Sequence, residues 1–114
     1  MQKIEVVVQP ECLGGVSEAL GKAKIGPFQA SDVTIFDPTK APEGSYRGAK
    51  YAIGRERVKL ELIVPDHEVE PAVEAIREGI EAFGEGGGAE LVVLAVQDSV
   101  HLSPSPWTRS RATR

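Results

Sequence analysis

The sequence predicts a two-layer α+β fold, and three features of its 114 residues predict it. Hydropathy runs in the order strand, helix, strand, strand, helix, strand. Residues 58–64 alternate apolar and other side chains with period two, and residues 69–83 carry one apolar helical stripe. The length allows one domain with one core and is too short for two.

Each element has its own signature. Ile4 to Val8 is β-branched, with only Glu5 breaking the apolar run, and Pro10 ends it as a strand. Leu13, Val16 and Leu20, with Ala19 and Ala23 alongside, form the stripe of a short helix whose first turn Gly14 and Gly15 weaken. Gly26-Pro27 marks a turn, and Ala30 to Phe36 is the second strand. Val58, Leu60, Leu62 and Val64 alternate with Lys59, Glu61 and Ile63 in the third. Pro65-Asp66 stops that strand, and Asp66 is placed to cap a helix whose first turn carries Glu68 and Glu70. Val69, Val73, Ile76, Ile80 and Phe83 give this helix its buried stripe, with regular hydrogen bonding delayed to about Glu70 by Pro71. Leu91 to Val96, apolar on both faces, reads as a strand buried on both sides. The order is that of the ferredoxin-like βαββαβ sandwich. Its two helices cover one face of the sheet. Val7, Ile63 and one parity of residues 91–96 make the other face apolar too, so a second copy of the chain is expected to cover it.

Composition narrows the function classes. Hydrophobic residues make up 41% and charged residues 26%, ordinary for a globular protein. A formal net charge of −4 argues against nucleic acid as a partner. Residues 103–114 hold Arg109, Arg111 and Arg114 and no acid; that end is +3, which leaves −7 for the remainder. Three arginines among Ser, Thr and Pro read as a basic flexible tail suited to an acidic surface or a phosphate. Cys12 is the single cysteine, so no intrachain disulfide forms, and a reducing cytoplasm is the expected compartment. No apolar run approaches the ~20 residues of a membrane span, and no signal peptide is read at the start. His67 and His101 with one cysteine make no metal signature.

Two segments are left for function. Residues 37–57 separate the second and third strands, far more than the two to five of a simple hairpin. At the centre lie Tyr46-Arg47-Gly48-Ala49-Lys50-Tyr51, two aromatics and two cations suited to contact outside the protein. Glycines 84, 86, 87 and 88 form the second segment, either a turn after the helix or a backbone cradle that approaches a phosphate.

With these residues in place, the chain resembles the PII signal-transduction proteins. Lys3-Ile4-Glu5, Pro10, Leu13, Val16, Ala19-Leu20, Val33 and Phe36 carry the resemblance, as do Tyr46-Arg47-Gly48-Ala49, Tyr51, Val58-Lys59, Glu61 and Val64-Pro65-Asp66. It spans residues 1–102 and implies a compact homotrimer, a T-loop at 37–55 and a B-loop at 84–89. It also implies that adenine nucleotides bind between subunits and that the T-loop docks onto a transporter or enzyme. The nucleotide contacts it implies are Val7, Ile35, Phe36, Asp37, Pro38, Val64, Gly86, Gly87, Gly88, Ala89 and His101. Thr39, Lys40, Arg47, Arg55 and Arg57 are the expected contacts to phosphate or to a second anion, and Tyr51 aligns with the tyrosine that some members present for uridylylation.

Departures from the family pattern sharpen the expectation. The loop start reads Ile35, Asp37, Pro38 and Thr39, without the glutamine that helps nitrogen-sensing members hold magnesium and 2-oxoglutarate beside ATP. The B-loop lysine has no equivalent, Ala89-Glu90 following the glycines, and the paired arginines of the last strand align with His101 and Ser103. Fewer cations favour ADP or AMP over ATP. Lys50 replaces the usual acid before Tyr51, and Ala49 stands at the seryl site of some members. The expected function is a cytoplasmic regulator that binds adenine nucleotide together with bicarbonate, in inorganic-carbon metabolism of the kind that accompanies carboxysomes or bicarbonate transporters. The alternative is a nitrogen regulator that senses ATP and 2-oxoglutarate and controls ammonium transport or glutamine synthesis. No catalytic constellation is visible, so no enzyme is expected. An acylphosphatase would need an asparagine, which this chain lacks, and an RNA-binding domain would need aromatics on the sheet face.

Overall fold

The structure is a computed structural model that describes the backbone of residues 1–40, 44–46, 49–51, 54–83, 88–104 and 108–111. Side chains are described for 1–40, 54–83 and 88–104. A four-stranded antiparallel sheet, in the order β2-β5-β1-β6, is built from Gln2–Val8 (β1), Gln29–Ile35 (β2), Arg55–Val64 (β5) and Leu91–Ala95 (β6). Helices Leu13–Lys22 (α1) and Val69–Glu81 (α2) pack on one face. The ferredoxin-like α+β arrangement read from the sequence is the one observed. Two short hairpins are added to it: Gly44–Tyr46 (β3) with Ala49–Tyr51 (β4), and Asp98–His101 (β7) with Thr108–Arg111 (β8). Among the described residues no helix is long and apolar enough to cross a membrane.

One parity of the central strands fills the core. Ile4, Val6 and Val8 of β1 join Val58, Leu60, Leu62 and Val64 of β5 beneath Val16, Leu20, Ala72, Ala75 and Ile76 of the helices. The buried stripe of α2 is turned from the one expected. Ala72, Ala75, Ile76 and Gly79 are buried, whereas Val69, Val73 and Ile80 are partly so and Phe83 is exposed. The helices cross at glycine: a β-carbon on Gly79 would lie 2.5 Å from the backbone of Val16, and one on Gly15 would lie 2.9 Å from the Gly79 carbonyl oxygen. Close approach of two backbones selects small residues at the contact and swings the larger ones to its flanks.

Three further expectations change. Asp66 makes no capping bond to α2; a 3-10 turn, Asp66–Glu68, precedes the helix. Its carboxylate instead accepts from the amino group of Met1 and from Nε2 of Gln2 at 3.4 Å. That ammonium holds the Asp66 carboxyl below the usual carboxylate range. Leu91–Ala95 is an edge strand, not one buried on both faces. Val92 and Leu94 are 48% and 41% exposed, because the helix layer covers only the opposite side and, among the described residues, no strand lies beyond β6. The basic end, read as flexible from residue 103, contributes Thr108–Arg111 as a strand.

The uncovered face has its own order. Register sets Glu5 directly opposite Glu61, a like-charge pair that is unfavourable alone. Lys3 and Lys59 relieve it from either side: Lys3 Nζ lies 2.7 Å from Glu61 and 3.7 Å from Glu5, and Lys59 Nζ lies 3.2 Å from Glu5 and 3.8 Å from Glu61. Val92 and Leu94, paired with Glu5 and Lys3, extend this face on the β6 side, and Ile63 lies opposite Lys3 on β5. The result is a neutral four-charge ring set among apolar side chains.

Candidate functional site

Strand register divides the expected site residues between the two ends of the sheet. Val8 pairs with Val58, Val33 with Arg57 and Ile35 with Arg55, so β1 ends, β2 ends and β5 begins at one end. There Val7, Gln9, Cys12, Arg57, Gly88 and Ala89 line a cleft of about 220 Å³. Four expected residues, Val7, Arg57, Gly88 and Ala89, therefore meet. Gly88 has room for a β-carbon, with nothing within 4 Å of that position, so its place beside the cleft is open. Arg57 donates from Nη1 to the Glu56 carbonyl at 2.7 Å, which steers its guanidinium along the strand.

The segment that leaves β2 at this end is locally organised. Asp37 accepts the N–H of Thr39 at 3.0 Å and also its hydroxyl, while the N–H of Lys40 reaches the Asp37 carbonyl at 3.3 Å. This is a side-chain-closed turn of the Asx kind, followed through by the backbone. The Thr39 hydroxyl, then its N–H, hold the Asp37 carboxyl below its ordinary range. Thr39 consequently spends its hydroxyl on Asp37, and an anion arriving there meets a carboxylate. Phe36 is 60% exposed and lies against Gly54, where a β-carbon would come within 2.8 Å of its ring and closer still to the Thr34 methyl. Both neighbours are movable side-chain ends. Gly54→Ala is accordingly expected to displace the Phe36 ring, seen as a shift of its NMR ring resonances, while the melting temperature changes by no more than about 4 °C.

Val64 and His101 lie elsewhere. Val64 is 3% exposed, paired with Gln2 at the far end of the sheet, so its side chain belongs to the core. β7 departs from that same end, following β6 past Ala95, the partner of Gln2, and His101 is exposed on it opposite Thr108. Tyr51 is on β4 opposite Gly44. Gly86, Gly87 and Arg47 fall outside the described residues. Among the described residues no group of three or more His, Cys, Asp or Glu is arranged to hold a metal.

Sequence reasoning missed Gln9 and Cys12 in the cleft, which carry no motif, and it missed the ring on the open face. That ring had a visible signal: Lys-x-Glu occurs in both central strands, at Lys3-Ile4-Glu5 and Lys59-Leu60-Glu61. Only the register reveals that the two pairs interlock.

Comparison with known proteins gives a consistent result. Residues 1–105 match the family described as nitrogen regulatory protein P-II. The nitrogen regulatory protein P-II of Rhodospirillum rubrum is 31% identical over 103 residues, which cover 90% of this chain and 91% of that one. The Haemophilus influenzae protein of the same name is 33% identical with the same coverage. In three dimensions the chain is similar to Arabidopsis thaliana PII, solved bound to citrate, with a TM-score of 0.69 and 29% identity over 96% of this chain and 87% of that one.

Proposed function

Since the chain belongs to the nitrogen regulatory protein P-II family of signalling proteins, we propose that it is a cytoplasmic regulator that binds ADP or AMP in preference to ATP. The nucleotide sits in clefts between the subunits of a homotrimer, and the T-loop at 37–55 transmits occupancy to a target transporter or enzyme. The observation that carries the reading is the cleft at the end of β1, where glycine backbone and Val7 meet with Arg57 as the one cation among its described lining residues. The apolar part of a mixed lining, Val7, Val8 and Ile80, suits an adenine ring, and glycine backbone N–H groups suit a phosphate. A single arginine suits a short phosphate chain better than a triphosphate.

Bicarbonate is the second ligand we propose, because the loop base reads Ile35, Asp37, Pro38 and Thr39, without the glutamine amide that helps nitrogen-sensing members hold 2-oxoglutarate. The competing reading is a sensor of ATP and 2-oxoglutarate in nitrogen metabolism. It draws support from the relatives' name and from the citrate held by the Arabidopsis protein, a carboxylate ligand in a protein of this family. The role is regulation and not catalysis in either case.

Calorimetric titration of ATP, ADP and AMP, each with and without bicarbonate and 2-oxoglutarate, decides between them. ADP or AMP binding strengthened by bicarbonate supports inorganic-carbon regulation. ATP binding strengthened by 2-oxoglutarate would transfer the protein to nitrogen sensing. No binding of any nucleotide would remove both.

A further inference from the structure

α2 is held against α1 at Gly79, where a β-carbon would lie 2.5 Å from the backbone of Val16. Its larger side chains Val73 and Ile80 fall on the flank that faces β6 and are only partly buried there. Between that flank and the sheet lies an apolar hollow of about 290 Å³, walled by Val6, Val73, Ile76, Ile80 and Leu91. The chain passing from α2 to β6 brings little to fill it. Residues 84–90 are Gly-Glu-Gly-Gly-Gly-Ala-Glu, with Ala89 the one apolar side chain, and Phe83 just before them is 41% exposed. An unfilled apolar hollow forfeits dispersion contacts and takes up small apolar molecules.

The rim sets the chemistry of the occupant. Arg77 and Glu81 are the charged groups among the described lining residues. Arg77 donates from Nη1 to Glu81 at 2.5 Å, and from Nε at 3.3 Å and Nη2 to Glu74. The guanidinium is thus engaged along its own helix, and two carboxylates outnumber it. A ligand with a carboxylate head meets that surplus of negative charge, whereas a hydroxyl or an ammonium donates a hydrogen bond to it.

Gly88, Ala89 and Ile80 line this hollow and also the cleft beside Val7 and Arg57. They are a shared wall with a ligand-sized space on either side. We propose that the hollow between α2 and β6 is a second ligand site, for a small aliphatic or aromatic molecule with a neutral or cationic head, and that its occupancy sets nucleotide affinity through the Gly88-Ala89 wall. The coupling rests on the nucleotide-binding reading above; the site does not. An occupant packs against one side of the wall, the glycine backbone serves a phosphate on the other, and one placement of residues 88–89 has to satisfy both. Coupled sites commonly change each other's affinity about 5- to 150-fold.

Hexanol, hexylamine and hexanoate, equal in length and different in head group, are the probes. Titrated into methyl-labelled protein, hexanol and hexylamine are expected to shift the NMR resonances of Val73, Ile76, Ile80 and Leu91. Those of Ile63, Val92 and Leu94 on the open face stay in place, and hexanoate binds at least about tenfold more weakly. Val73→Phe fills the hollow from the helix side without touching the nucleotide cleft and abolishes the shifts, with circular dichroism establishing that it folds. Glu81→Gln, at an exposed position, is the milder variant: hexylamine loses affinity and hexanol does not. ADP calorimetry with and without saturating hexanol reads the coupling, expected as a change of about fivefold or more. Equal shifts on both faces, or equal binding of the three probes, overturns the site. Probe binding that leaves ADP affinity unchanged overturns the coupling. Absence of ADP binding in the wild type overturns the nucleotide reading and the coupling with it, while the methyl shifts still decide the site.

Discussion

Gly79→Ala is expected to lower the melting temperature by about 8 °C. The added methyl would sit 2.5 Å from the Cα and N of Val16 and 2.8 Å from the carbonyl carbon of Gly15. All three are backbone atoms, so no rotamer change relieves the contact and the helices must separate. Overpacking a dense interior costs about 1–3 kcal/mol, and a contact confined to backbone belongs at the upper end. Alanine returns about 1 kcal/mol of helix propensity, leaving a loss of about 2 kcal/mol, and each kcal/mol is worth about 4 °C in a domain of this size. Thermal unfolding at fixed protein concentration measures it. Gly14→Ala is the control: nothing lies within 4 Å of its position, so the propensity gain stands alone and the melting temperature rises. A Gly79→Ala protein as stable as the wild type would refute the close helix crossing.

That pair of glycines shows what a sequence conceals. Gly14 and Gly15 look alike there, each a weakness in the first turn of α1, and only the partner helix separates a replaceable glycine from a necessary one. The strands were legible because β-branched runs and period-two alternation are local properties, and both helices because their stripes are. The stripe of α2 pointed to the correct side of the sheet but was centred on the larger residues, since a hydropathy pattern gives no weight to Ala72, Ala75 or Gly79 as points of close approach. Capping by Asp66 failed for a non-local reason: the amino group of Met1, far away in sequence, occupies the carboxylate. The site was legible in pieces. Val7, Arg57, Gly88 and Ala89, far apart in sequence, line one cleft, whereas the hairpin of β7 and β8 is announced by no apolar alternation, its positions being Ser, Thr, Arg, Asp and His apart from Val100.

Lys3→Glu/Lys59→Glu is expected to convert the proposed trimer into monomers at micromolar concentration. In the wild type each lysine lies within ion-pair distance of both glutamates, so the open face is neutral as a unit and can be covered by a copy of itself. The double variant would leave four carboxylates together among Ile63, Val92 and Leu94. Covering that face would then bury uncompensated like charge, which assembly energies of ordinary interfaces do not offset. Folding itself should survive, because Ile4, Val6, Leu60 and Leu62 point to the other side of the same strands. Sedimentation equilibrium reads the mass and circular dichroism the fold. The ring also sets a pH window. Lys3 holds the Glu61 carboxyl below its usual range, so the Glu61 contribution is present above the ordinary glutamate pKa of about 4.3 and is lost as pH falls through the lowered value. Glu61 in turn raises the Lys3 ammonium, whose contribution is full below about 10.4 and is lost as pH rises through the raised value. Wild-type folding stability should therefore be level between about pH 5 and 10 and weaken beyond both limits. Acidification should strengthen assembly of the double variant, since protonation removes its repulsion. A double variant that remained trimeric at neutral pH would place the subunit contact on another face, and a folding stability indifferent to acid would show that the ring does not contribute to the fold.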